Sequence, residues 1–247
     1  MKVIIIGAGS GKRVGQFAEK LPKALLDVNG KTILERQLNL FRKNGIYDIV
    51  VITGPHNEKF NFDKITYVHD SQYPKHDILG SLMMAREHIK GDVLITYSDI
   101  LFEENILHQI MKSRSDIGIA VDLDWKKSYL NRTEHPPSEA ENVLLNNSGE
   151  VLQIRKNIQD ENKVAEFLGI IKLSPQGSAT FVKEFERVEH SHEGVFHCAS
   201  SIHKAYLTDM IQEIIDSKIM VTPITISGKW CEIDTMQDLQ RARNLFN

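Results

Sequence analysis

Val3-Ile4-Ile5-Ile6-Gly7-Ala8-Gly9-Ser10-Gly11-Lys12-Arg13 is the stretch on which the fold turns. Four consecutive β-branched residues suit a strand buried on both faces. The glycines that follow let the backbone approach a ligand closely, and the loop offers amide donors and two cations to phosphate. A strand-to-helix glycine turn of this kind either binds phosphate or is purely structural. The dinucleotide fingerprint fails, because the third glycine position after Gly9-x-Gly11 is Val14. The P-loop pattern fails as well, because Lys12 arrives too early and is followed by Arg13. Hydride transfer is therefore disfavoured.

Working outward, short apolar runs at Val3–Ile6, Asp48–Thr53, Val93–Tyr97, Ile117–Val121, Phe167–Leu173 and Met220–Ile226 read as strands. Amphipathic patterns at Thr32–Lys43, Ile78–Ile89, Glu103–Lys112, Pro175–Phe185, Ala205–Asp216 and Thr235–Phe246 read as helices, with apolar residues three and four apart. The first helix has a capping-box start, Thr32 with Glu35, and a glycine stop at Gly45. Strands alternating with helices require crossover connections, hence an α/β fold whose largely parallel sheet is covered on both faces. Ligands of such sheets sit beyond the carboxyl ends of the strands. The alternation weakens over residues 122–147, read as an excursion that folds over the site, before a strand at Val151–Ile154. No linker divides the chain, so 1–247 is read as one domain with a lid.

Lys and Arg total 30 against 33 Asp and Glu, a net charge of -3, which leaves no positive excess for a nucleic-acid backbone. The hydrophobic fraction of 41% with 26% charged residues excludes disorder for the bulk of the chain. The first apolar run is too short for a signal sequence and no later run approaches a membrane span, so a cytoplasmic protein is expected. Its two cysteines, Cys198 and Cys231, lie far apart and argue for neither a disulfide framework nor a zinc site.

The run from Ala8 continues, after a spacer, as Leu21-Pro22-Lys23-Ala24-Leu25-Leu26-Asp27-Val28-Asn29-Gly30-Lys31. With Ala8, Gly9, Gly11, Arg13, Pro22 and Lys23 in place, it resembles the opening of the sugar-nucleotidyltransferase-like enzymes, which join a nucleoside monophosphate to a phosphorylated acceptor. The resemblance implies a three-layer α/β/α Rossmann-like domain with a mixed, mostly parallel sheet. It also implies that Gly7, Ala8, Gly9, Ser10, Gly11, Lys12 and Ser81 contact the nucleotide. Arg13 would hold the β- and γ-phosphates and Lys23 the α-phosphate, positive groups that offset transition-state charge. A bland reading leaves Lys23 a solvated surface lysine.

Asp99 closes the strand at Val93–Tyr97, on the same edge as the glycine loop, and Asp234 precedes the last helix. Two carboxylates holding Mg2+ between phosphate oxygens suit this chemistry, and the resemblance points to both. As helix-terminal residues they would instead supply a first-turn charge and an N-cap, and Asp234 could do both. The acceptor's oxyanion needs no general base, so the histidines at 190, 192 and 197 are read as solvated.

Tyr73-Pro74-x-x-Asp77-Ile78-Leu79-Gly80-Ser81, Ser98-Asp99-Ile100-Leu101-Phe102 and Glu166-Phe167-x-Gly169-Ile170 are similar to a narrower branch. That branch is the cytidylyltransferases acting on phosphonates and phosphocholine, including those fused to phosphoenolpyruvate mutase. Two positions depart from pattern: Ser98 where sugar-phosphate members carry glycine, and Asp77 where the branch carries asparagine. The implied reaction uses CTP, Mg2+ and a small phosphonate or phosphorylated headgroup. Independently, Asp122, Asp124, Glu166 and Glu232 beside Trp125, Tyr129 and Trp230 would suit a cationic headgroup through ion pairing and cation–π contact. Arg132 and Lys156 are the candidate cations for the acceptor's phosphonate, Arg132 alternatively pairing with a neighbouring acid. The competing readings are a sugar-1-phosphate nucleotidyltransferase using UTP, dTTP or CTP, and a nucleotide-binding regulatory subunit without turnover. A helix face or the excursion could mediate a homodimer, though no seam demands one.

Overall fold

The structure, a computed structural model, describes residues 1–9, 21–159 and 164–246. Its strands and helices run in the order β1 (Lys2–Gly7), β2 (Asp27–Val28), β3 (Lys31–Thr32), α1 (Ile33–Lys43), β4 (Asp48–Thr53), β5 (Thr66–His69), α2 (Ile78–Met83), β6 (Val93–Tyr97), β7 (Ile100–Phe102) and α3 (Glu104–Lys112). They continue as β8 (Ile117–Asp122), β9 (Glu141–Leu145), β10 (Val151–Lys156), β11 (Val164–Leu173), α4 (Pro175–Ser191), α5 (Leu207–Asp216), β12 (Thr222–Thr225), β13 (Trp230–Glu232) and α6 (Met236–Leu245).

Successive residues of a strand point to opposite faces, and both faces of β1 are buried. Val3 and Ile5 pack with Val51 against Leu34, Leu38 and Phe41 of α1 and Ile106 and Ile110 of α3. Ile4 and Ile6 pack with Val50 and Ile52 toward Leu79 of α2, Phe181 and Phe185 of α4, and Met210 and Ile214 of α5. The three expected layers are thus present. A smaller cluster joins Leu239 and Ala242 of α6 to Val28, Leu101 and Ile233 at the edge of the domain.

β6, β1, β4 and β5 run parallel, so Ala8, Gly54, Asp70 and Asp99 all follow strands at one carboxyl edge. Gly54 is required there: a Cβ on it would stand 2.3 Å from the Ala8 carbonyl oxygen, so only glycine lets β4 leave the sheet against the β1 turn. β11 runs antiparallel to β6 and has β8 along its other side. Gly169, at φ +68, breaks its regular pairing, and its first residues pair with β9 instead of β6. The strand therefore forks the sheet, opening a gap at the end of β6 into which Tyr97 projects.

Several boundaries differ from the sequence reading. The helix expected over Ile78–Ile89 ends at Met83 and resumes only as a 3-10 turn at Arg86–His88, while α4 runs past Phe185 to Ser191. The excursion ends earlier than expected, because residues 141–145 are β9, paired with both β10 and β11. Its polar start, Glu141-Asn142, hides a strand whose Val143 and Leu145 are buried. Residues 123–140 hold two 3-10 turns, Trp125–Tyr129 and Pro137–Glu139. This segment is fastened to α6: Gln237 bonds the backbone of Asn131, Thr133 and Glu134, and Arg241 donates to the Ser128 carbonyl. Among the described residues, no helix is long and apolar enough to cross a membrane.

Candidate active site

Pro22, in extended conformation, leads into a 3-10 turn at Lys23–Leu25 whose Ala24 and Leu25 are buried. That anchoring turns Lys23 toward the carboxyl edge. Asp99 lies in the two-residue step between β6 and β7, fixed from two sides. Gln37 of α1, buried, donates from Nε2 to the carbonyls of Tyr97 (2.9 Å) and Ile100 (2.7 Å), and Ile233 N donates to the Asp99 carbonyl (2.9 Å). Asp234 follows β13 immediately before α6. The cap of α6 is Thr235, in a capping box with Asp238, so the N-cap alternative for Asp234 is corrected and its side chain is left for other work.

That work is visible. Lys23 Nζ lies 2.8 Å from Asp99 Oδ2 and 2.5 Å from Asp234 Oδ1. Burial opposes the ammonium charge, yet the two carboxylates outweigh it and raise the lysine's pKa, so Lys23 is a buried cation and no solvated surface residue. Asp234 Oδ2 faces His135 Nδ1 at 3.2 Å, and His135 Nε2 lies 3.8 Å from Glu232 Oε2. Arg132 donates to Asp238 Oδ1 (2.6 Å) and to Glu232 Oε2 (3.5 Å), with its guanidinium 4.9 Å from the Tyr129 ring centre. Tyr129 in turn donates to Glu166 (2.5 Å) and stacks edge-on against Trp125. Charge is thus continuous from Lys23 to Glu166.

Acid is in excess at this centre. Burial, with Asp234 and Asp99 adding, pushes Glu232 up to about 7 against His135 and Arg132. Burial, with Glu232 adding, pushes Glu141 up to about 8. Burial also holds Glu166 well above its ordinary value. Among the described residues Asp99 Oδ1, Glu166 Oε2 and His135 Nε2 are buried without a hydrogen-bond partner. Orphaned oxygens in a field short of positive charge are what a divalent cation corrects, and carboxylate oxygens are ligands that Mg2+ accepts. His135, Glu232 and Asp234 offer ligand atoms within 4.8 Å of one another, a set that could hold such an ion, and Asp99 adjoins it across Lys23 with Oδ1 unpaired. A cavity of about 20 Å³ opens beside them, lined by Tyr97, Glu139, Glu141, Glu166, Trp230 and Glu232.

The other expected residues divide. Ser10, Gly11, Lys12 and Arg13 lie outside the described residues. Gly7, Ala8 and Gly9 sit at the end of β1 on the carboxyl edge. Ser81 is buried in α2 and donates to Asp70 (2.8 Å), which His76 also meets at 3.0 Å. Asp122 accepts the Trp230 indole N–H (2.8 Å) and so orients that ring, while Trp125 bonds the Val164 carbonyl. Asp124 is corrected: it faces solvent and pairs with Lys127. Of the two cations expected for the acceptor's phosphonate, Arg132 takes the alternative reading, buried and paired with acids as above, and Lys156 lies 2.8 Å from Glu139. Sequence reasoning missed Gln37, Tyr97, His135 and Glu141.

Comparison with known proteins agrees with this arrangement. The chain is 26% identical to the CTP:phosphoglutamine cytidylyltransferase of Campylobacter jejuni across 97% of this chain and 98% of that one. It is 32% identical to the choline-phosphate cytidylyltransferase of Streptococcus pneumoniae over 46% of this chain and 51% of that protein. Its fold matches the solved CTP:phosphocholine cytidylyltransferase of S. pneumoniae with a TM-score of 0.75 at 20% identity, covering 100% of this chain and 99% of that one. It also matches the inositol-1-phosphate CTP transferase of T. maritima at 0.76 and 19%, covering 99% and 94%. Residues 3–148, more than half the chain and the part that carries Lys23 and Asp99, match one family throughout, and the protein belongs to the MobA-like NTP transferase domain family.

Proposed function

We propose that the protein is a Mg2+-dependent cytidylyltransferase that transfers CMP from CTP to a small phosphonate or phosphocholine-like acceptor and releases pyrophosphate. The observation that carries this reading is the convergence of Lys23, Asp99 and Asp234 within 2.8 Å at the carboxyl edge, beside a cavity walled by acids and rings. Mg2+ bound by the two aspartates would offset charge on the phosphate oxygens. Lys23 neutralises the α-phosphate, and Arg13 and the Gly7–Lys12 loop take the rest of the triphosphate. An oxygen of the acceptor's phosphonate or phosphate attacks the α-phosphorus in line. One phosphorus–oxygen bond forms, the bond to the β-phosphate bridging oxygen breaks, and no proton must be removed first. Ser81 belongs to the nucleotide side.

Glu166 and Glu232, with Trp230 oriented by Asp122 and the Trp125–Tyr129 pair behind Glu166, form the acceptor side. Acids pushed above their ordinary range next to aromatic rings favour a cation, which restores the charged carboxylates it pairs with. The relatives that use choline phosphate and phosphoglutamine support this choice of acceptor class. At about 20 Å³ the cavity has room for a water, so a trimethylammonium group would need more space than these walls leave.

Pyrophosphate release tests the reading. Each of the four nucleoside triphosphates is offered with Mg2+ and 2-aminoethylphosphonate, 2-hydroxyethylphosphonate, phosphocholine, phosphoglutamine or glucose 1-phosphate. Release with CTP and one of the first four acceptors is expected, and Asp99→Asn abolishes it without unfolding the chain. Release only with UTP or dTTP and the sugar phosphate makes the protein a sugar-1-phosphate nucleotidyltransferase. Silence with nucleotide binding intact makes it a regulatory subunit.

A further inference from the structure

We propose that Lys23 is the resident cation of the two-aspartate site and keeps a divalent metal out until a nucleotide phosphate draws the ammonium away, so that metal and nucleotide bind as one unit. The inference rests on the reading of Asp99 and Asp234 as metal ligands.

The geometry leaves little choice. The ammonium contacts Asp99 Oδ2 and Asp234 Oδ1 at once, and His135 engages Asp234 Oδ2. With Lys23 in place, the described neighbourhood leaves Asp99 Oδ1 as the aspartate oxygen without a hydrogen-bond partner. A divalent ion needs several oxygens at about 2.0–2.1 Å, and it cannot share two of them with an ammonium seated between the same carboxylates. The lysine does not drift off on its own. Its side chain is 12% exposed and that of Asp234 3%, so leaving without a substitute strands buried charge. A nucleotide supplies both halves of the exchange: its α-phosphate gives the ammonium a new anion, and the metal it brings gives the aspartates a new cation.

The motion this needs is small. Ala24 and Leu25 hold the backbone of the 3-10 turn in the core, and the four-carbon stem of the lysine supplies the freedom. The effect on metal affinity follows from populations. If the disengaged arrangement is present in about one molecule in ten, apparent affinity without nucleotide falls about tenfold.

Mn2+ is the probe, followed by the loss of its free-ion electron paramagnetic resonance signal and by calorimetry, on the full chain without nucleotide. Wild type should bind weakly, Lys23→Met should bind one ion at least about tenfold more tightly, and Lys23→Arg should stay weak because it keeps the charge. Mn2+ should also raise the thermal midpoint of Lys23→Met more than that of wild type, and adding Asp99→Asn to Lys23→Met should abolish the site. Equal tight binding by wild type and Lys23→Met overturns the exclusion while leaving the metal assignment standing. No binding by either overturns both. Should Lys23→Met fail to fold, a tight saturable site in wild type without nucleotide is by itself sufficient refutation.

Discussion

Replacing Arg132 with methionine tests whether the excursion over the site is held to the C-terminal helix by a buried ion pair. The guanidinium is 2% exposed and Asp238 is fully buried, 2.6 Å apart. Removing one partner of such a pair costs about 3–5 kcal/mol, because the other charge is left buried. Asp238 retains bonds from Thr235 N (3.0 Å), Thr235 Oγ1 (2.9 Å) and Asp234 N (3.2 Å) and a second cation, Arg241 Nη1 at 3.4 Å, which places the loss at the low end, about 3 kcal/mol. For a chain of this size that corresponds to a thermal midpoint lowered by about 6–12 °C. Burial would raise the Asp238 carboxyl, but Arg132 and Thr235 outweigh it and hold the group below its ordinary value. The stability it gives is present above its unfolded value, near 3.9, and is lost only as pH falls through the lower folded value. The Arg132→Met penalty therefore persists at neutral and mildly acidic pH. Differential scanning calorimetry of Arg132→Met, Asp238→Asn and the double variant measures it. If the two losses simply add, or if Arg132→Met lowers the midpoint by less than about 2 °C, the pair does not hold the excursion.

Glu141 and Glu232 titrate at about 8 and about 7 in the folded chain against an ordinary 4.5, so the stability of their protonated forms is complete below 4.5 and lost as pH rises through 7 and 8. The thermal midpoint should fall between about pH 4.5 and 8 and level off above that, and Glu141→Gln should flatten the fall. Gln37→Leu takes its amide donor from the Tyr97 and Ile100 carbonyls, of which Tyr97 keeps the Thr96 hydroxyl (3.2 Å), at a cost of about 1–3 kcal/mol. It should also lower kcat by up to about a hundredfold, since Asp99 loses its fixed position, with the loss read in steady-state kinetics at saturating metal. Gly169→Ala places a Cβ 2.2 Å from the Tyr97 ring at a φ of +68, so Tyr97, whose hydroxyl donates to Glu141 at 3.2 Å, must shift. Its thermal midpoint should drop, and Tyr97→Phe in the same background should not lower it further.

The Pro22-Lys23 pair, Asp99 and Asp234 were legible because the family resemblance marks their positions and Asp99 also stands at a strand end. The helices were legible where apolar periodicity and caps coincide, as at Thr32 with Glu35. The acidic wall was half legible. Glu166 and Glu232 were found beside aromatic residues, but Glu141 opens a strand too short and too polar at its start to announce itself. His135 and Gln37 were out of reach for a different reason. Their roles depend on partners far along the chain, Asp234 about a hundred residues from His135 and the Tyr97–Ile100 step about sixty from Gln37, and no local pattern encodes such pairings. Arg132 illustrates the opposite case, in which a basic residue near a site could serve the ligand or a neighbouring acid and the chain alone did not say which; it pairs with Asp238.

β11 lies inside the sheet, with β8 along one side and β6 giving way to β9 along the other. The family match ends at residue 148, before this strand begins, and Glu166, Trp230, Glu232 and Asp234 all come after it. The later part of the chain is therefore not an appendage that could be exchanged to alter acceptor choice. A graft joined after residue 148 would have to rebuild the middle of the sheet and one of the two aspartates together. On the proposed reading of the acceptor side, preference would change by single side chains around the Tyr97 gap and not by recombination of whole segments.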